Sequence, residues 1–475
     1  MPNRPRTFFW LFTSALCAAL LLPALVQDGM FQDGALYASV SKNLAEGYGT
    51  FWDPTFSETA ITSFHEQPPL MFALEAVFFK IFGGIWPERI YSLLTAMLGI
   101  WLLARLWKAS LPPHDEWKNL DWLPALIFFV MPVTFYAYTN NLEECTMTVF
   151  VLAGVLQIVR AMREENFSSL RLLQAGFWLL CAGLTKGVQG LFPLIAVGAW
   201  WLVFRDRSFV KMIAQSLLLA LPLALFVLYA YIDKEVHASF DAYFGSRFTK
   251  TFGGVHNTHG RFHLLWELFI DIALPLALCG LAWLNYRFRK KQRNPQGRLM
   301  LFFVLLGFAG ILPLMITLEQ RGFYLVTALP YLAAALALLA APALLPLAQK
   351  LGTRPALTRS LSLASALLLL AVLVFTGTQI GKTKRDEDLL HDIRVMGGIV
   401  GERKTIVIPN STWNDWSLQN YTMRYTGISL DGEHALGKHE YFFAPKAYPA
   451  PENYVPVEAP LRKHTLYRRA QTPAR

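Results

Sequence analysis

Charge is what this 475-residue chain has least of: Asp, Glu, Lys and Arg make up 16% of it, against 54% hydrophobic residues. A water-soluble domain of this length needs more polar surface, so the composition excludes a soluble globular protein and points to a chain that crosses a membrane several times. Cysteine is scarce too. Cys17, Cys145, Cys181 and Cys279 lie in or beside apolar runs with no CxxC pair among them, which excludes a disulfide framework, a cysteine metal site and thiol redox chemistry. No repeat of fixed period is visible. The net charge of +10 does not require nucleic acid, because Lys and Arg fall in short clusters between apolar runs, where they orient a membrane protein.

What the chain has in plenty is apolar stretches long enough to cross a bilayer. By the rule of about 20 apolar residues per pass, about eleven are expected. They run roughly over 8–26, 88–107, 121–139, 145–161, 170–186, 188–204, 212–232, 264–285, 299–317, 322–345 and 361–380. The first, Phe8 to Val26, is too long for a signal-peptide core and reads as a retained helix. With the N-terminus inside, Arg105, Lys108 and Lys118, then Arg160 and Arg163, Arg205 and Arg207, Arg287 to Arg298, and Lys350 to Arg359 all fall in inside loops. The alternation requires that Leu70 to Phe82, short and carrying Glu75 and Lys80, lie at the outer surface instead of crossing. The expected fold is therefore mainly α: a polytopic transmembrane bundle over 1–380, with outer-loop helices in 27–87, and a small α/β domain over 381–475 on the periplasmic or extracellular side. In that tail, Thr405 to Pro409, Tyr454 to Val457 and His464 to Tyr467 read as strands and Trp413 to Tyr425 as a short helix.

The outer loops hold ionisable groups at membrane level, where an uncompensated charge is expensive and tends to mark function. Asp33 precedes a helical stretch, Gly34 to Glu46, and capping that helix is its structural alternative. His65 and Glu66 stand before Pro68 and Pro69, where a helix can begin but not extend backwards. Asn140, Asn141, Glu143 and Glu144 form a tight turn. Lys186 sits in the glycine-bounded turn GLTKGVQG, either snorkelling to headgroups or offering a point charge to a phosphate. Arg247, His256, His259 and Arg261 share a loop whose histidine spacing is a weak zinc signal, and Glu319, Arg321 and Tyr324 open the tenth span. Carboxylates and cations together at a lipid interface suit chemistry on a phosphate borne by a membrane-dissolved chain: cations hold the leaving phosphate, and a carboxylate deprotonates the attacking hydroxyl or amine.

The order of these motifs resembles the bacterial members of the dolichyl-phosphate-mannose protein mannosyltransferase family, including the lipid A aminoarabinose transferases, over about residues 8 to 345. Asp33 is followed by Tyr37 and Ala38. His65, Glu66, Pro68, Pro69 and Leu70 match a second motif, Glu144 with Phe150 a third, Leu184 to Gly187 the LTKG turn, and Tyr324 with Pro330 a last. The chain departs from the family at Gly34, where many relatives have a second acid, and from the aminoarabinose branch at Leu36 and Gln67, where that branch has Arg and Lys. The resemblance implies a GT-C fold and an inverting transfer of a sugar from a polyprenyl-phosphate donor to a lipid A, glycan or protein acceptor outside a bacterial inner membrane. It implies Asp33 as base, Glu66 and Glu144 as orienting carboxylates, and Tyr37, His65, Lys186, Arg321 and Tyr324 as substrate contacts, with Arg247, His256, His259 or Arg261 assisting. Some relatives contain a divalent cation, so a metal stays open as a cofactor. The rivals are a transporter or flippase of lipid-linked sugars, which would place charges near mid-membrane, and a membrane anchor for the tail, which leaves the outer-loop charges without a purpose.

Overall fold

The computed structural model describes residues 3–164, 166–252, 260–290, 294–316 and 319–470. The long helices are α1 (Asn3–Leu25), α4 (Pro87–Ser110), α7 (Glu143–Arg163), α8 (Ser169–Lys186), α10 (Phe209–Ile232), α12 (His263–Lys290), α13 (Gly297–Ile311), α14 (Leu329–Gly352) and α15 (Pro355–Gly377). Shorter ones fill the gaps: α2 (Gln32–Ala45), α3 (Leu70–Ile81), α5 (Leu123–Phe129), α6 (Pro132–Thr139), α9 (Ala196–Phe204) and α11 (Lys234–Phe252).

Among the described residues, nine helical stretches are long and apolar enough to cross a membrane, or ten if the bent pair α5–α6 is one pass. The expected span 121–139 is thus broken rather than straight. Pro132 starts α6 and forces Met131 before it into extended backbone (ψ 125°), so the halves meet at 77°. Ser169–Phe204 passes the same test as one stretch of 36 residues. It reverses within that length. Gly187 at its middle takes φ 71°, ψ −145°, a conformation open to glycine alone, and Gly190 then packs directly on the backbone of Ala182. Arg207, just past the stretch, donates to the carbonyl of Met162, just before it. Counting this hairpin as two passes adds one to the ten and gives the expected eleven.

The basic loops gather at one end of the bundle. There Asp121 pairs with Arg6 and Lys108, Gln296 donates to Asp115 and Gln349 to Glu116. The other end carries α2, α3 and the tail. Helix α3 is no pass: it buries Met71, Phe72 and Glu75 and exposes Val77 and Ile81, as a helix lying on a membrane surface does. The bundle core is a continuous packing of α4, α5, α7, α8, α13 and α14 around residues such as Trp107, Phe128, Trp200, Phe302 and Tyr331.

The tail holds α16 (Glu387–Val400), α17 (Trp416–Thr426) and strands β1 (Thr405–Val407), β2 (Ser429–Asp431), β3 (Tyr441–Pro445), β4 (Tyr454–Pro456) and β5 (His464–Arg469) in the order β2-β1-β3-β5-β4. β1 is parallel to β2 and β3, while β5 runs antiparallel to β3 and β4. Sequence reading misses α16, β2 and β3. The helix Trp413 to Tyr425 is displaced to start after Asp415, whose side chain caps it. Met30 and Ala35 join Leu390, Ile393, Tyr421 and Phe443 in the tail's core, so α2 is packed into the tail as well as against the bundle.

Two buried carboxylates tie these parts together. Asp28 accepts from Arg89 (3.3 Å), from the Tyr425 hydroxyl (2.5 Å) and from Arg394, while Glu88 accepts from Arg89 (2.6 Å) and Arg424 (2.7 Å). Three guanidinium groups serve two acids there, and the acids come from the bundle while Arg394 and Arg424 come from the tail.

Candidate active site

The site forms where α2, α7, α8 and the approach to α14 meet. Helix α2 begins one residue earlier than Asp33 and has Phe31 at its N-cap, so Asp33 is not the cap expected from sequence; it lies in the first turn. The capping role passes to another segment, because the Phe31 N–H donates to the Asn140 side chain at 2.8 Å. The same turn explains Gly34: a Cβ there would collide with the carbonyl of Asn140, so the second acid of the related sequences has no room here.

Glu143 and Glu144 occupy the first turn of α7, where a helix N-terminus favours negative charge, and both are fully buried. Lys186, at the end of α8, is buried rather than snorkelling. Its Nζ is 2.8 Å from Glu144 Oε1 and 3.2 Å from Glu143 Oε2, and it stands 5.4 Å from the centre of the Tyr324 ring. Gly187 makes this possible, since its glycine-only turn ends α8 directly after the lysine, with the Tyr243 hydroxyl lying where a Cβ would be. Glu144 Oε2 is buried and accepts no hydrogen bond among the described residues, which leaves an acceptor open at the site.

Asp33 faces this group. Burial pushes its carboxyl up to about 6, Lys186 and exposed Arg321 oppose the rise, and Glu144 and Glu66 add to it. Glu66, Glu144, Lys186 and Arg321 are thus each within electrostatic reach of Asp33. No hydrogen bond holds Asp33 to the protein among the described residues, as suits a group kept for a substrate proton.

Other predicted residues sit elsewhere. His65 pairs with Asp53 (Nε2 to Oδ1, 3.0 Å) and lies 3.4 Å from the Ser239 hydroxyl on α11. Tyr37 is buried beside Phe72 in an apolar cluster under α2 and α3. Arg261 is exposed, and its carbonyl accepts from Gln320. The side chain of Arg247, and His256 and His259 entirely, lie outside the described residues. Glu143 is the residue sequence reasoning undervalued: adjacent helical residues normally diverge, but at a first turn both reach the same lysine. Among the described residues no group of three or more His, Cys, Asp or Glu could hold a metal ion. The ammonium of Lys186 already stands between the two glutamates.

An apolar cavity of about 290 Å³ opens beside the Lys186 turn, between α8, α10 and α11, lined by Leu184, Gly187, Leu191, Phe226, Phe240 and Tyr243 among others.

This arrangement of helices and tail is the GT-C fold of membrane glycosyltransferases. Residues 66–231, about a third of the chain, match the family model of dolichyl-phosphate-mannose-protein mannosyltransferases. The whole structure is similar to ArnT from Cupriavidus metallidurans bound to undecaprenyl phosphate, with TM-score 0.66 at 13% identity over 96% of this chain and 97% of that one. The apo form of the same protein gives 0.64 with the same identity and coverage. The Archaeoglobus fulgidus oligosaccharyltransferase in complex with zinc and sulfate is similar over 91% of this chain and 68% of that one, with TM-score 0.52 and 12% identity. No curated protein matches the sequence.

Proposed function

We propose that the chain is a membrane glycosyltransferase that moves a sugar from a polyprenyl-phosphate donor to a lipid A, glycan or protein acceptor on the periplasmic side of a bacterial inner membrane, with inversion. The observation that carries this reading is Asp33: a carboxyl raised to about 6, without a hydrogen bond among the described residues, facing a buried lysine. Such a group is ionised at neutral pH yet basic enough to take a proton. The acceptor hydroxyl or amine gives its proton to Asp33 as its oxygen or nitrogen bonds to the anomeric carbon, and the bond from that carbon to the phosphate oxygen breaks. Lys186 and Arg321 neutralise the departing phosphate, and Glu144 Oε2 accepts a hydrogen bond from the sugar or acceptor. The undecaprenyl phosphate held by the similar ArnT supports a donor of this class, and the apolar cavity beside Gly187 suits a prenyl chain.

The test is sugar release by the purified protein from a panel of radiolabelled polyprenyl-phosphate sugars. Asp33→Asn should lower transfer by roughly 10²–10⁴-fold with donor binding unchanged. A native rate in that variant disproves the assignment of the base.

A further inference from the structure

Glu75 is a carboxyl that the proposed reaction does not use, and it is fully buried on α3. Its Oε1 accepts from the Asn141 amide at 2.6 Å. Its Oε2 lies 2.6 Å from Ser41 Oγ, which is itself 2.9 Å from the carbonyl of Tyr37. A serine hydroxyl has one hydrogen to give. The Tyr37 carbonyl already accepts the helical N–H of Ser41, so an ionised Oε2 could take that hydrogen. A fully buried carboxylate would then be held by two neutral donors with no cation within ion-pair distance among the described residues, a costly state. If Glu75 carries a proton, each contact is made: Oε2–H donates to Ser41, Ser41 donates to Tyr37, and Asn141 donates to Oε1.

The partners of this relay are what make it interesting. Ser41 and Tyr37 belong to α2, which carries Asp33. Asn141 is left-handed (φ 53°) and forms the turn that launches Glu143 and Glu144, next to Asn140, which caps α2. Both reacting sides of the site thus hang on one carboxyl from α3. We propose that Glu75 is a positioning residue that works as a neutral carboxylic acid, fixing α2 and its Asp33 against the turn that carries Glu143 and Glu144. The inference rests on the transfer reading for its functional meaning, and on the burial of Glu75 among neutral hydrogen-bond partners for its chemistry.

The surroundings agree. Burial pushes Glu75 up to about 8, Glu88 on α4 adds to the rise, and Ser41, Asn141 and Arg424 of α17 oppose it. Tyr91 of α4 stands close by, its hydroxyl bonded to Thr146 at 2.7 Å. The proton is held at neutral pH and lost as pH rises through about 8. Between the ordinary 4.5 and about 8 the folded state binds a proton that the unfolded chain does not, so the contribution to stability falls as pH climbs through that window and levels off once Glu75 has ionised.

The experiment uses full-length protein in detergent. The infrared difference between wild type and Glu75→Gln should show a carboxylic-acid carbonyl band at pH 7 that disappears with a midpoint near 8, and the wild-type melting temperature should fall toward that pH more steeply than that of the variant. Glutamine reproduces a neutral donor and acceptor, so Glu75→Gln should keep its pH 7 sugar release within about twofold and lack the alkaline decline, while Glu75→Ala loses more than tenfold in kcat with donor KM little changed. Asn141→Gly keeps the left-handed turn but removes a donor that favours the ionised form, so it should move the midpoint upward. A missing band, an unchanged alkaline decline in Glu75→Gln, or a Glu75→Gln variant as inactive as Glu75→Ala overturns the proposal. Wild type that releases no sugar from any donor overturns the transfer reading instead, and the band and melting profiles then decide the role of Glu75 alone.

Discussion

Two buried charge clusters lie at the same end of this molecule and have opposite balances. At the junction of bundle and tail, Asp28 and Glu88 are served by Arg89, Arg394 and Arg424, with cations in excess. At the site, Glu143 and Glu144 share Lys186, and among the described residues Asp33 faces them without a hydrogen bond and Glu144 Oε2 accepts none. Asp28, Glu88, Glu143 and Glu144 are all buried. The difference lies at the acceptors: each carboxylate oxygen of Asp28 and Glu88 accepts a hydrogen bond, so that cluster is closed at its acids even though Arg424 Nε lacks a partner, whereas Glu144 Oε2 is left open among the described residues.

Breaking the open cluster should have the largest effect. Lys186→Met takes the cation from between two fully buried carboxylates, and a loss of about 3–5 kcal/mol is expected, together with transfer, read as a lowered melting temperature and no sugar release. The closed cluster is more forgiving, because Arg89 still serves Glu88 when Arg424 is removed. Arg424→Met should destabilise by about 1.5–3 kcal/mol and make the tail more sensitive to limited proteolysis, with transfer kept at permissive temperature. A smaller effect comes from pH. Asp33 acts only when ionised, so the rate should fall about tenfold per unit below its value of about 6, and a rate constant down to pH 4 would remove Asp33 from the reaction. The smallest is a control outside both clusters: Arg468 and Glu440 pair at the tail surface, half-exposed, and Arg468→Ala should change stability by about 0–1 kcal/mol.

The sequence makes the bundle legible because apolar length and the placement of Lys and Arg are local signals. It also brings out Asp33, Glu66, Glu144, Lys186 and Arg321, since each stands in a short outer loop beside a proline, glycine or helix start. What it hides is pairing across distance. Asp28 meets Arg394 and Tyr425 over more than 360 positions, with nothing in either neighbourhood to announce the other. Glu75 reads as a stray charge on a surface helix, and only the folded contacts with Ser41 and Asn141 make it a member of the core. The reversal at Gly187 is legible as a glycine-bounded turn, whereas β2 and β3 are too short and too plain to be told from loop.

The helix bearing Asp33, with Met30 just before it, leaves the ribosome long before its tail partners Asn420 and Tyr421, which follow more than 380 positions later. Met30 and Ser39 are bonded to Tyr421 and Asn420 across almost the whole chain. A nascent polypeptide can therefore thread every pass into the bilayer and still lack an assembled centre until the tail has docked. A chain cut after Gly377 should insert its passes yet release no sugar in the transfer assay.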